Sequence, residues 1–436
     1  MSIWSQASEI AQQTPADRNR YVDFLRAVSI LFVIIGHWLI TSAYYHQETG
    51  QLDTVLALDV IPWTAWLSWV FQVMPIFFIV GGYSNAVSLE SAKKKNLTYS
   101  QWLTGRLHRL LTPLLLLVVF WALLSLSLGL FGIPPETIAL MSKVALVPTW
   151  FLAIYTMIVL LAPVTYAFWR RWGIASLLVY ILMAALVDFA FFELELPALG
   201  WTNYFWVWLA VHHLGFAWHD GRLGRRLTLS VLAIGSFALL YLLIYFGPYP
   251  IAMAGSPGEA VSNTLPPKVT LVALGLFQFG LLLAIEKPMQ RFLSKAAPWT
   301  LTIIINTMIM TVYLWHMTVL IFLIGMLYLL GGTGLEYEVG TGAWWSSRPI
   351  WLVVLFALLI PVALLLSPLE RISAPKGAAV PARWRLILGA FMSGAGITMA
   401  TLLGFNGNLL SLSSTGAVAL MLGGGLICGL TVSMYR

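Results

Sequence analysis

The sequence predicts an all-α protein: a polytopic transmembrane helical bundle of about twelve spans, with both termini cytoplasmic. Three observations predict it. The 436 residues are 60% hydrophobic and only 9% charged, with twenty tryptophans and a mean hydropathy of +0.86; soluble domains carry about 25% charged residues. The apolar residues run in long stretches of helical character, without the alternation of a membrane barrel. Lys and Arg collect in alternate connections, the bias that orients membrane proteins.

The spans centre near residues 32, 75, 120, 157, 183, 210, 236, 277, 314, 358, 395 and 423. With a cytoplasmic N-terminus, only Lys143, Lys268 and Arg348 of the 24 Lys and Arg fall on the outer side. The net charge of +7 is therefore a topology signal and an anchor to anionic lipid, with no nucleic-acid partner implied. The polar residues 1–20, without an apolar core or a cleavage site, read as a cytoplasmic tail rather than a signal peptide. Residues 21–370 form the transmembrane core, 371–383 a small-residue and proline linker, and 384–436 an accessory helix pair. Cys428 is the single cysteine, which excludes an internal disulfide and a Cys-cluster metal site.

The first span opens at Arg20-Tyr21-Val22-Asp23-Phe24-Leu25-Arg26 and reaches His37 after ten mostly apolar residues. Eleven residues make about three helical turns, so Arg26 and His37 fall within roughly 20° on one face, with Asp23 on the same side. Ionisable residues aligned along a membrane helix are costly and mark functional pathways. The second span carries Pro75 and is expected to kink there and to end at Gly81-Gly82-Tyr83-Ser84-Asn85, where backbone lines a cavity. An ordinary membrane proline and helix end explain the same residues equally well.

Before the third span, Arg106 and Arg109 share a helix face at i and i+3. Two guanidinium groups so placed can hold phosphate oxygens in charge-assisted hydrogen bonds, and Lys93, Lys94 and Lys95 raise the local potential. Basic residues flanking a span are expected as lipid anchors in any case. Trp150 opens the fourth span, where it can stack on a sugar face or anchor at the interface. Asp188, inside the fifth, needs a partner whatever its role; His212 and His213 lie near the inner end of the sixth, where His212 reads as a packing residue. His316 sits in the ninth span behind Asn306, Thr307 and Thr311; binding an acceptor, orienting a base, stabilising an oxyanion and bridging two helices are all open to it. The last two spans, with Gly425 and Gly429 in a small-xxx-small pattern and no ionisable residue in their apolar stretches, read as a close-packed pair that can also meet a membrane partner.

Five phrases occur in one order: Arg26-x10-His37, Met74-Pro75 through Gly82-Tyr83, Arg106-x-x-Arg109, Trp150-Phe151-Leu152 and Tyr313-Leu314-Trp315-His316. Together they resemble the acyltransferase-3 family of polytopic membrane acyltransferases over about residues 20–370. The resemblance implies about ten core spans in a bacterial-type inner membrane. It implies transfer of an acyl group, acetyl from acetyl-CoA foremost, to saccharides or glycolipids of the cell envelope outside the cytoplasm. It also implies that Arg26 and His37 are the pair required for transfer, and that Arg106 and Arg109 form the arginine motif near the cytoplasmic donor side. The C-terminal helix pair departs from the pattern.

The chemistry of the residues fits that implication. Transfer from a thioester to a hydroxyl needs a base and an oxyanion stabiliser, and a buried neutral His37 suits the first role. Arg26, about 16 Å below it, is expected to contact the phosphate–pantetheine part of acyl-CoA or to pair with Asp23. His316 is a further candidate at the reacting centre, and Trp150, Asp188 and Tyr83 are candidate acceptor contacts. No Gly-x-Ser-x-Gly elbow, Walker loop, His-Glu-x-x-His or metal-binding carboxylate cluster occurs, so no metal is expected. Direct transfer is the simplest mechanism, and a transient acyl-histidine is the alternative. A flippase for a lipid-linked sugar would use the same buried histidines and broken helix without a covalent product; a non-catalytic helper would need neither histidine nor arginine motif.

Overall fold

The computed structural model describes residues 3–15, 18–222, 226–255, 260–370, 379–408 and 411–430. Most of the expected linker 371–383, Arg225 and the terminal Arg436 lie outside the described residues.

A short helix, α1 (Ile3–Gln12), precedes α2 (Arg20–Ile40), whose start is fixed by Asn19: its side-chain oxygen accepts from the amides of Tyr21 and Val22. From α2 the chain passes directly into β1 (Thr41–Tyr45), which pairs antiparallel with β2 (Leu52–Leu56), Thr41 opposite Leu56 and Tyr45 opposite Leu52. Then follow α3 (Ala57–Val60), α4 (Thr64–Phe71), α5 (Met74–Lys94), α6 (Tyr99–Leu130) and α7 (Pro135–Leu146). A single 3-10 turn, Val147–Thr149, leads into α8 (Trp150–Trp172), α9 (Ile174–Phe192), α10 (Pro197–Gly200), α11 (Asn203–His219) and α12 (Arg226–Phe246). The chain continues through α13 (Val269–Ala284), α14 (Glu286–Leu293), α15 (Ala296–Thr307), α16 (Ile309–Leu329) and α17 (Gly342–Glu370). It closes with α18 (Arg383–Leu403) and α19 (Leu412–Ile427).

The architecture is the expected helical bundle, with one hairpin added. Each of the twelve expected centres falls within a helix. Among the described residues, nine helices are long and apolar enough to cross a membrane, or ten if α13 and α14, bent by 57°, form one broken span. The expected twelve is not reproduced by length: α11 has 17 residues and the apolar part of α19 runs only from Ser414 to Ile427.

Two expectations about local structure are corrected. Pro75 does not kink a continuous helix. It lies in the first turn of α5, after a break at Gln72 and Val73, where its missing N–H costs no hydrogen bond. Nor does the helix end over Gly81-Gly82-Tyr83-Ser84-Asn85; α5 continues to Lys94. The glycines instead let α5 cross α11 closely. A Cβ on Gly82 would meet the His212 carbonyl, and one on Gly215 would meet the Ile79 carbonyl. Glycine is tolerated in a membrane helix when it permits such backbone approach.

The polar start of the chain also folds back. Ala7 and Ala11 of α1 are buried, α1 packs on α15, and Trp299 Nε1 donates to Thr14 Oγ1 at 2.9 Å. Alanines four residues apart present one narrow apolar stripe, a signal too weak to stand out in a polar segment.

The core is dominated by large aromatic residues on α2, α5, α6, α8 and α11, with Trp38, Phe78, Trp121, Trp169 and Trp208 fully buried. A second small cluster of Ala57, Ile61, Val339 and Trp344 packs beside the hairpin. The residues that cap α2 and the cationic ends of α5, α6 and α8 meet at one end of the bundle, the arginine end. The hairpin and the α16–α17 connection meet at the other, where Tyr45 N donates to Leu335 O at 2.9 Å.

Candidate active site

His37 lies one turn before the end of α2, close to the hairpin. Its Nδ1 stands 2.9 Å from His316 Nε2 on α16, the two rings nearly parallel at 11°. His316 Nδ1 is 2.6 Å from the carbonyl oxygen of Tyr313, one turn earlier. A carbonyl can only accept, so Nδ1 of His316 carries the proton. With both rings neutral, His316 Nε2 then accepts, His37 Nδ1–H donates, and the lone pair on His37 Nε2 is left uncommitted. Trp38 Nε1 donates to the His316 carbonyl at 3.0 Å, tying α2 to α16 at the same level. His316 is fully buried, whereas His37 retains partial exposure.

Tyr313 is itself held from outside this pair. Its hydroxyl donates to the Pro148 carbonyl at 2.6 Å, and its ring lies against Phe77 and Phe151. Trp150 joins this aromatic group at one remove, packed on Phe151, Tyr204 and Trp208.

At the arginine end, three helices converge on Ser84. Arg26 donates to Ser84 Oγ at 3.0 Å and pairs with Asp23 at 3.2 Å; Asp23 also takes Arg18 at 2.7 Å. Arg106 reaches the Ser84 carbonyl at 3.4 Å and Asn85 Oδ1 at 2.5 Å, and Asn85 Nδ2 lies 3.1 Å from His212 Nε2. Arg106 Nε is buried without a protein partner. Arg109 is exposed. Thus Arg26 and Arg106 are brought to one residue, Arg109 one turn along the same helix, and His37 and His316 to one hydrogen bond about 16 Å up the axis of α2.

A cavity of about 440 Å³ opens beside this end, lined by Asn19, Tyr83, Trp218, His219, Glu286 and Lys287 among others. Tyr83 lies here, its ring 4.8 Å from Trp218 and its hydroxyl accepting from Asn19 at 3.5 Å. It is grouped with the arginine-end residues and not with Trp150 or Asp188.

Asp188 sits near the opposite end, 2% exposed, accepting from Asn203 at 2.8 Å, the Tyr249 hydroxyl at 3.1 Å and the Val269 amide at 2.8 Å. These bonds tie α9 to α11 and α13 and occupy both carboxylate oxygens. Nearby Lys268 is fully buried, its ammonium 3.7 Å from the centre of the Phe191 ring. Burial lowers its pKa, and the Asp188 charge opposes that shift.

Sequence reasoning gave no role to Ser84 or Asn85, and none to Tyr313 beyond its place in a phrase. Asn85 carried a usable signal: an amide within a membrane helix must find partners in the bundle. Ser84 and Tyr313 carried none, because their importance lies in which backbone groups they meet.

The sequence model of one family, described as an acyltransferase domain, matches residues 19–368. No curated protein and no solved structure matches the chain. The match covers far more than half of the chain, from the cap of α2 into the last turn of α17, and includes Arg26, His37, Ser84, Asn85, Arg106, Arg109, Tyr313 and His316. The chain belongs to the acyltransferase-3 family and is an integral, multi-pass membrane acyltransferase.

Proposed function

We propose that this acyltransferase carries an acyl group, acetyl foremost, from acyl-CoA at the arginine end to a hydroxyl of a saccharide or glycolipid at the hairpin end. In this reading the arginine end is cytoplasmic, the membrane is a bacterial-type inner membrane, and the product belongs to the cell envelope. The observation that carries it is the chain from the Tyr313 carbonyl through His316 to His37. That chain holds one imidazole nitrogen as a proton acceptor on a half-open residue near the end of a membrane-spanning helix.

The donor would be held by guanidinium groups. Arg109 is exposed and Arg106 has a spare buried N–H, so their charge is available to phosphate oxygens, while Arg26 stands between them and the span interior. The aromatic wall of the adjoining cavity, Tyr83 and Trp218, offers a stacking face for the purine. The extended pantetheine then runs along α2 toward His37.

At His37, Nε2 takes the proton of the acceptor hydroxyl as its oxygen attacks the thioester carbonyl. The C–O bond forms, the C–S bond breaks, and the thiolate leaves with the proton returned from His37. His316 fixes the tautomer and ring orientation of the base and shares the positive charge that develops on it. Trp150 contributes to the acceptor side through its aromatic face. Asp188 supports that wall of the bundle by hydrogen bonding, without a free oxygen to offer a substrate.

The test is release of CoA thiol from acetyl-CoA by the purified protein, with membrane glycolipids as acceptors, compared with His37→Ala. Release that disappears in the variant supports the reading. Equal release in both removes His37 as the base. Neither release nor donor binding turns the choice to a lipid-linked-sugar flippase, which makes no covalent product.

A further inference from the structure

We infer that the C-terminal helix pair, α18 and α19, which lies beyond the family-matched residues, is a positioning element for the His37–His316 pair, acting through Thr401 and Ser142. The inference rests on the reading of His37 as the base.

The pair is docked rather than peripheral. Its small residues meet one another: a Cβ on Gly389 would lie 2.5 Å from the Gly424 carbonyl, and one on Gly396 2.7 Å from the Ala417 carbonyl. The close-packing seam is thus filled within the chain, and α18 turns its other side to α6, α7 and α8.

At the hairpin end the contacts become polar and specific. Thr401 Oγ1 lies 2.9 Å from Thr149 Oγ1, and the Phe405 amide donates to Ser142 Oγ at 2.7 Å. Ser142 and Thr149 are 0% and 1% exposed, so water is excluded from both; each hydroxyl also reaches a carbonyl of its own turn, Ala139 at 3.0 Å and Leu146 at 2.7 Å, as Thr401 reaches Ile397 at 2.9 Å. Thr149 closes the 3-10 turn that carries Pro148, and Ser142 lies in α7, the helix that leads into it.

That turn is the outer anchor of the site. The Pro148 carbonyl receives the Tyr313 hydroxyl, and the Tyr313 carbonyl receives His316 Nδ1–H. Each link is a single hydrogen bond between buried groups, where loss of a partner is expensive. Removing the Thr401 hydroxyl leaves the Phe405–Ser142 bond as the remaining polar tie and loosens the turn; the Pro148 carbonyl then shifts relative to Tyr313, and the His316 ring loses its fixed register. Near-attack geometry tolerates little displacement, since about 1 Å costs about a hundredfold in rate.

The experiment uses the full-length protein in detergent, with acetyl-CoA as donor and a membrane glycolipid extract as acceptor. Thr401→Val preserves shape and removes the hydroxyl; Thr401→Ser restores it. Positioning predicts kcat lowered about tenfold in Thr401→Val, KM for acetyl-CoA unchanged, and recovery in Thr401→Ser. Tyr313→Phe lowers kcat similarly, and the double variant Thr401→Val/Tyr313→Phe is no worse than the poorer single one, because the two lie on one path. Wild-type kcat in Thr401→Val, or fully additive losses, overturns the inference.

A readout independent of turnover is carbethoxylation of His37 by diethyl pyrocarbonate, followed by mass spectrometry. Its rate changes at least about twofold in Thr401→Val, while His46 on the hairpin, with 38% of its side chain accessible, keeps its rate. An unchanged His37 rate overturns the positioning role even if turnover is absent. If His37→Ala retains wild-type turnover, the base reading fails by itself, and the modification rates still report whether α18 orders the pair.

Discussion

His37 and His316, 279 positions apart, share a hydrogen bond of 2.9 Å, and the Tyr313 carbonyl fixes which way its proton points. This relationship sets the two neutral rings apart by hydrogen bonding. One presents a lone pair; the other determines which nitrogen that lone pair is on.

His316→Ala should therefore lower kcat by about a hundredfold, less than the loss from His37→Ala, with KM for acyl-CoA near wild type. Steady-state kinetics of the two variants check this. Equal donor KM with an unchanged kcat would leave His316 as a helix-bridging residue.

Arg106 and Arg109 should separate by burial. Arg109→Ala raises KM for acetyl-CoA about tenfold and leaves the thermal midpoint unchanged, because its side chain is exposed. Arg106→Ala raises KM and also destabilises the protein by about 1–3 kcal/mol, since Asn85 Oδ1 loses its donor in a buried site. Donor titrations alongside unfolding scans check both halves.

Gly82→Ala should be a folding defect rather than a catalytic one. The added methyl group lands on the His212 carbonyl across the α5–α11 crossing and costs about 1–3 kcal/mol through overpacking. A lower unfolding midpoint with kcat retained in the surviving fraction is the expected result.

Lys268 gives a stability–pH prediction with a definite sign. Burial disfavours its charged form, so its folded-state pKa lies below the ordinary value of 10.5. Between the two values the unfolded chain binds more protons than the folded one, and stability rises with pH. Below the folded-state pKa the penalty is present in full; above 10.5 it is gone. Asp188→Asn removes the charge that opposes the shift, so its unfolding midpoint climbs more steeply with alkaline pH than that of the wild type. Lys268→Met removes this contribution to the slope. The same Asp188→Asn variant should keep its KM for acceptor, because both carboxylate oxygens are engaged by Asn203, Tyr249 and the Val269 amide.

By itself the sequence determined the class of this protein. Apolar stretches in a chain with 9% charged residues have no soluble solution. The phase of the helix also put Arg26 and His37 on one face, because both lie on the same uninterrupted helix α2 and its period is fixed by backbone geometry. Where one helix sufficed, sequence distance converted directly into space. The pairing of His37 with His316, the meeting of Arg26 and Arg106 at Ser84, and the withdrawal of Tyr83 from Trp150 and Asp188 were decided only by tertiary structure. Each depends on how separate helices cross, and those crossings are set by side-chain volume at contacts such as Gly82 against Gly215, which no local pattern encodes. The same reason explains why Pro75 starts a helix instead of bending one, and why α18 and α19 meet at Gly389, Gly396 and Gly424 while Gly425, of the expected Gly425/Gly429 pattern, faces Leu115 of α6. A residue's type limits what it can do; the partner it meets selects which of those things it does.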